Sequence, residues 1–164
     1  MKSIINVSGE QYDWIIDVLD KSKFFLLSKD LSSRIDLFNF ALALGLRKGY
    51  PTKLATSKGL IRTAYDDVQS YLYMYKSVYF EKVILEEGCE IDCISNIDAA
   101  LELVEEYANT GFNELKQMKE MYSDNILFMK KLLTLIDDMM LQYQSIIKMN
   151  KLYTDWVQFV TDDN

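Results

Sequence analysis

The chain has no histidine in 164 residues. That absence removes Ser-His-Asp and Cys-His nucleophile systems, together with the commonest transition-metal ligand. Only one proline and six glycines interrupt it. A sandwich or barrel needs a turn signal about every 8–12 residues, so so few breakers favour a helical fold. The two cysteines, Cys89 and Cys93, cannot complete a four-ligand zinc site without histidine. They read as free thiols of a reducing cytoplasm. No stretch reaches the ~20 apolar residues of a membrane span, and Met1 to Asn6 lack the apolar core of a signal peptide. The expectation is a cytoplasmic protein with no membrane role, no cofactor and no metal.

What is present is the balance of an ordinary globular domain, 49% hydrophobic and 26% charged. Such a length buries a sizeable core without staples. The net charge of −7 argues against broad, sequence-independent binding to nucleic acid, because phosphates need a positive surface. A local basic patch could still do that work.

Patterning predicts an all-α, single-domain bundle of about five helices with a long C-terminal helix. Ser8 and Gln11 fit a capping box that opens a first helix ending near Asp20. Phe24 to Leu27 form a short apolar run that reads as a strand or a buried turn. Ser33 and Asp36 form a second capping signature. The helix that follows, Ile35 to Leu46, is apolar nearly all round and therefore central. Arg47 and Lys48 suit its last turn, Gly49 its C′ position, and Pro51 stops it. Residues 50–64 read as irregular. Asp66 or Asp67 leads a helix to about Glu87, with Val68, Leu72, Tyr75, Val78, Tyr79 and Val83 on its core face.

Asn96 is the expected N-cap of the next helix, to about Tyr122, which carries the most recognisable string in the chain. Ala100, Leu101, Val104, Ala108, Phe112 and Leu115 recur at helical spacing and form one stripe. The Asn109-Thr110-Gly111 step is expected to interrupt this helix late. Tyr107, Ala108 and Gly111 should allow close packing against the Ile35–Leu46 helix, with Gly111 giving a neighbouring backbone room. Glu105 and Glu106 read as a solvated or docking edge.

Asp124 or Asn125 caps the last helix, which reaches towards Val160. Ile126, Leu133, Met140, Ile147 and Thr154 fall on one heptad position, and Met129, Ile136, Tyr143, Asn150 and Val157 on the other. The division expected is a helical core over 1–124 and a packing or oligomerisation helix over 125–164. The seam could serve self-association, docking of a partner, or packing within the chain.

One interval stands out by charge. Between Asp36 and Asp66 the chain holds Arg47, Lys48, Lys53, Lys58 and Arg62 and no acid. Such cations could grip phosphates or an acidic protein surface, with Tyr50 and Tyr65 placed to stack on a base. The plain alternative is a solvated loop in which Arg47 and Lys48 cap a helix. The acidic pairs Asp66-Asp67, Glu86-Glu87, Glu105-Glu106 and Asp137-Asp138 point neither at one ion nor at one another, since neighbours on a helix diverge by about 100°. Tyr71, Tyr75 and Tyr79 share a helix face and read as core with hydroxyls at its rim.

Three stretches together resemble a known family. Asp36 to Gly49 is similar to the D-x-F-x-x-A-x-A-x-G-x-x-x-G helix of small proteins encoded beside Dnd-type DNA phosphorothioation systems. Gly59 to Arg62 is similar to the basic connection that follows it. Glu105 to Leu115 resembles that family's EEYANGGL helix, with Thr110 where glycine is usual. The likeness covers about residues 24–122. It implies a non-catalytic accessory subunit of an anti-phage or DNA-modification defence cluster, bound to a larger nuclease, ATPase or sensor. An oligomeric DNA-binding protein that uses the basic 47–62 segment is the alternative.

Overall fold

In a computed structural model of the chain, residues 2–16, 32–64, 66–85 and 96–162 are described. Their order is β1 (Ile4–Ser8), α1 (Gly9–Trp14), α2 (Ser32–Lys48), β2 (Ser57–Arg62), α3 (Asp66–Tyr79), α4 (Ile97–Met121) and α5 (Asn125–Asp162). A π-helical turn over Phe80–Leu85 prolongs α3. The chain divides into two compact units, Met1–Met118 and Lys119–Asn164. The first contains every element up to α4. The second contains the last residues of α4 and all of α5.

The fold is mostly helical but not all-α. β1 and β2 form an antiparallel pair, with Ile5 opposite Ile61 and Val7 opposite Lys58. The alternation Ile5-Asn6-Val7-Ser8 is a strand pattern too short to announce itself, and its partner lies some fifty residues on without a hairpin turn. Residues 50–64, expected to be irregular, therefore contain a strand. The register slips between Ile5 and Asn6 so that Leu60 has no opposite number. That bulge explains why the consecutive residues Leu60 and Ile61 are both buried, which a regular strand would forbid.

Ser8 caps α1 as expected, its side chain accepting from the Gln11 amide at 3.3 Å. The other half of the capping box does not form: Gln11 Oε1 accepts no hydrogen bond among the described residues, while its Nε2 donates to Asn113 Oδ1 on α4. α1 passes after Trp14 into a π turn at Ile15 and Ile16, and the expected end near Asp20 lies outside the described residues. α2 is described from Ser32, so Ser33 lies within the helix, and its side chain is outside the described residues. At the other end Gly49 takes φ +83° and its amide donates to the Gly45 carbonyl at 3.1 Å, the left-handed stop that glycine permits at no steric cost. On α3 only Val68 and Tyr75 of the expected core face are fully buried. The Tyr75 hydroxyl donates to Asn39 Oδ1 at 2.7 Å, and its ring meets Phe38 edge-on at 6.1 Å. The Phe24–Leu27 run and both cysteines lie outside the described residues.

α4 opens on Asn96, whose side chain accepts from the Ala99 amide at 3.1 Å. Every residue of its expected apolar stripe is buried. It runs unbroken through Asn109, Thr110 and Gly111, so the expected interruption is absent. The glycine serves close approach instead. A Cβ on Gly111 would stand 2.6 Å from the Ala41 carbonyl carbon, and one on Gly45 would stand 2.6 Å from the Tyr107 carbonyl carbon. The two helices thus cross with each glycine against the other's backbone. α5 is capped by Asp124, which accepts from the Ile126 and Leu127 amides at 2.9 Å.

Gly111→Ala and Gly45→Ala should each destabilise the first unit by about 2–3 kcal/mol, because the added methyl meets rigid backbone. Urea titration followed by circular dichroism measures this. A shift under a few tenths of a kcal/mol would mean that the helices are not in backbone contact.

Candidate interaction surfaces

Polar residues on the buried side of α4 are consumed in holding the fold. Glu105 is only 3% exposed, which corrects the expectation of a solvated edge. Its carboxylate accepts from the Asn6 amide at 2.7 Å and from Lys2 Nζ at 2.8 Å. About two turns earlier on the same face of α4, Asp98 accepts from the Lys2 amide. A strand edge that would otherwise present unpaired amides is thereby closed by two carboxylates of a helix. Burial pushes the Glu105 carboxyl above the ordinary glutamate range, with the Lys2 ammonium and the Asn6 amide pulling the other way.

The opposite flank of α4 holds the segment after α2. Thr52 donates its amide to the Glu106 carbonyl at 3.1 Å, and its hydroxyl lies 2.8 Å from that of Thr110. Thr110 also reaches the Tyr50 carbonyl at 3.0 Å. The Asn109 amide donates to the carbonyls of Thr52 and Lys53 at 3.2 and 3.3 Å. Asn109 and Thr110 are weak helix formers on a core face, and that misfit was the sequence signal for an anchoring role.

The five cations of the basic segment are carried by different elements. Arg47 and Lys48 end α2, Lys53 lies in the anchored segment, and Lys58 and Arg62 belong to β2. Lys48 pairs with Glu114 at 2.9 Å. Lys58 pairs with Asp13 at 2.7 Å and covers the Tyr12 ring. The Leu60 bulge sets Lys58 opposite Val7 and Arg62 opposite Ile4, so these two cations occupy opposite faces of the ribbon. Arg47, Lys53 and Arg62 are exposed, and among the described residues they form no ion pair.

In the second unit, the heptad positions are at the surface. Ile126 is 67%, Leu133 54% and Met140 52% exposed, while Met129 and Ile136 are half-buried. Among the described side chains of α5, Phe128 and Leu132 are buried, about 100° round the helix from the heptad seam. The side chains of Tyr143, Ile147 and Val157 lie outside the described residues. Lys119 covers the Phe128 ring at 5.6 Å, and Lys131 the Tyr122 ring at 5.8 Å.

No helix of the described residues is long and apolar enough to cross a membrane, and no group of three or more Cys, Asp or Glu among them is placed to hold a metal ion. Comparison with family models, curated proteins and solved structures found no match to this chain.

Glu105 gives the fold a pH signature. A carboxyl raised by folding binds its proton more tightly in the native state, so its contribution is greatest below the unfolded glutamate range and is lost as pH rises through the folded value. The stability of the natural chain minus that of Glu105→Gln should therefore fall as pH increases from about 4 upward. Urea midpoints across that range measure it; a flat or rising difference would show that Glu105 is not desolvated.

Proposed function

We propose that the chain is a non-catalytic adaptor that works by protein–protein association, as a cytoplasmic accessory subunit of a bacterial anti-phage or DNA-modification defence complex. The observation that carries this reading is the exposed apolar face of α5, with Ile126, Leu133 and Met140 all more than half exposed. Large aliphatic side chains repeated along one face of a helix are a feature of interaction surfaces. The polar residues of the α4 string support the same reading by their occupation. Glu105, Asn109 and Thr110 each hold a neighbouring backbone, and a group spent that way is not available to a substrate. The defence setting rests on the likeness of Asp36–Gly49, Gly59–Arg62 and Glu105–Leu115 to the Dnd-associated proteins. The larger partner would be a nuclease, ATPase or sensor.

Direct contact with DNA is the second reading, favoured by the exposure of Arg47, Lys53 and Arg62. The ion pairs of Lys48 and Lys58 count against a broad patch.

Coexpression of the chain with the products of its neighbouring genes should yield a stable complex of defined mass. Reversal of Arg47, Lys53 and Arg62 to glutamate should leave that complex intact. Absence of any copurifying product overturns the adaptor reading. Binding to a DNA duplex that weakens with salt and disappears on the same reversal would establish the second reading in its place.

A further inference from the structure

The seam on α5 has a charge pattern that selects its own occupant. With Ile126, Leu133 and Met140 at the a positions and Met129 and Ile136 at d, Lys130 and Asp137 both fall at e, beside the apolar stripe. Both are exposed, and they carry opposite charges one heptad apart. From this we propose that residues 126–143 of α5 pair antiparallel with the same segment of a second copy of the chain.

The register follows from the residues. In an antiparallel pair each a residue shares a layer with a d residue of the other helix. Setting Leu133 against the partner copy's Ile136 also sets Met140 against Met129, and Ile126 against Tyr143. Every layer then contains a large side chain from both helices, over about 27 Å of helix. In that register the e positions meet e positions, so Lys130 faces Asp137 of the other copy. The two-fold axis repeats the pair, giving two ion pairs from one sequence.

A parallel pair does not use these charges. There e would face g of the other helix, and the g positions here include Leu132, which is already buried, and Met139. Asp137 would then lie against Leu132, and Lys130 against the uncharged Asn125. The antiparallel arrangement leaves Phe128 and Leu132 on a separate face, and the described side chains that it takes up, Ile126, Met129, Leu133, Ile136 and Met140, are exposed or half-buried. The inference deepens the adaptor reading, since it assigns this segment to self-pairing and leaves other surfaces for a partner.

Sedimentation velocity of the purified chain over a range of concentrations is the test. A reversible dimer is expected, and Leu133→Glu should weaken it more than about 100-fold, since it places two carboxylates in the seam. Lys130→Glu alone sets like charges against each other twice and should weaken the dimer about tenfold, as should Asp137→Lys. Mixing those two variants should restore the natural affinity, because every pair across the mixed dimer is again of opposite sign. The rescue is independent of any folding defect, which circular dichroism of each variant checks. A monomer at all concentrations overturns the proposal, as does a dimer indifferent to Leu133→Glu. Failure of the mixture to recover overturns the antiparallel register. None of these outcomes touches coexpression with neighbouring genes, so loss of the dimer and loss of a larger partner are read separately.

Discussion

Where α2 crosses α4, two backbone carbonyls fill the space that two side chains would need. Gly45 admits the Tyr107 carbonyl, and Gly111 admits that of Ala41. The contact is reciprocal, so it fixes not only how near the helices come but also how each is rotated about its own axis. With Gly111 turned towards α2, Glu105 lies about 120° to one side of α4 and Thr110 about 100° to the other. Those are the two directions in which the fold needs anchors. Glu105 meets β1, and Thr110 meets the chain that leaves α2.

The same closeness explains why the segment after α2 lies along α4. Gly49 reverses the chain at the end of α2, and from there Tyr50 to Lys53 have carbonyls and amides that strand pairing does not satisfy. Glu106, Asn109 and Thr110 supply the partners. Backbone groups without partners in a protein interior are costly, so a short polar string on one helix replaces what would otherwise be a third strand. The bulge at Leu60 then lets β2 bury two consecutive side chains against the core. It does so while setting Lys58 and Arg62 on opposite faces of the ribbon.

Much of this was legible in the chain. The α4 stripe, the caps at Ser8, Asn96 and Asp124, the left-handed stop at Gly49 and the close packing at Gly111 follow from local patterns that the structure reproduces. What was not legible depends on partners distant in sequence. The β1–β2 pair joins strands some fifty residues apart, and neither strand is long enough to be read by itself. Glu105 and Glu106 were read as one solvated edge although neighbours on a helix point about 100° apart. That angle alone allowed one to be buried while the other remained at the surface. Gln11 has the spacing of a capping box, but its side chain is oriented by a partner distant in sequence: its Nε2 donates to Asn113 of α4.

The contrast between α4 and α5 is informative for the same reason. On α4 the apolar stripe and the buried stripe coincide, and its polar residues on that side have partners within the unit. On α5 they do not coincide. Phe128 and Leu132 are buried, while the 3.5-residue seam that begins at Ile126 lies about 100° away and is largely exposed. The second stripe has its own period and its own flanking charges, and large apolar side chains exposed along one helix face are a feature of interaction surfaces. Lys130 and Asp137 sit at the edge of that stripe without an ion pair among the described residues. In the antiparallel pairing proposed above, another copy of the helix brings the opposite charge to each of them, because the sequence of α5 itself carries both.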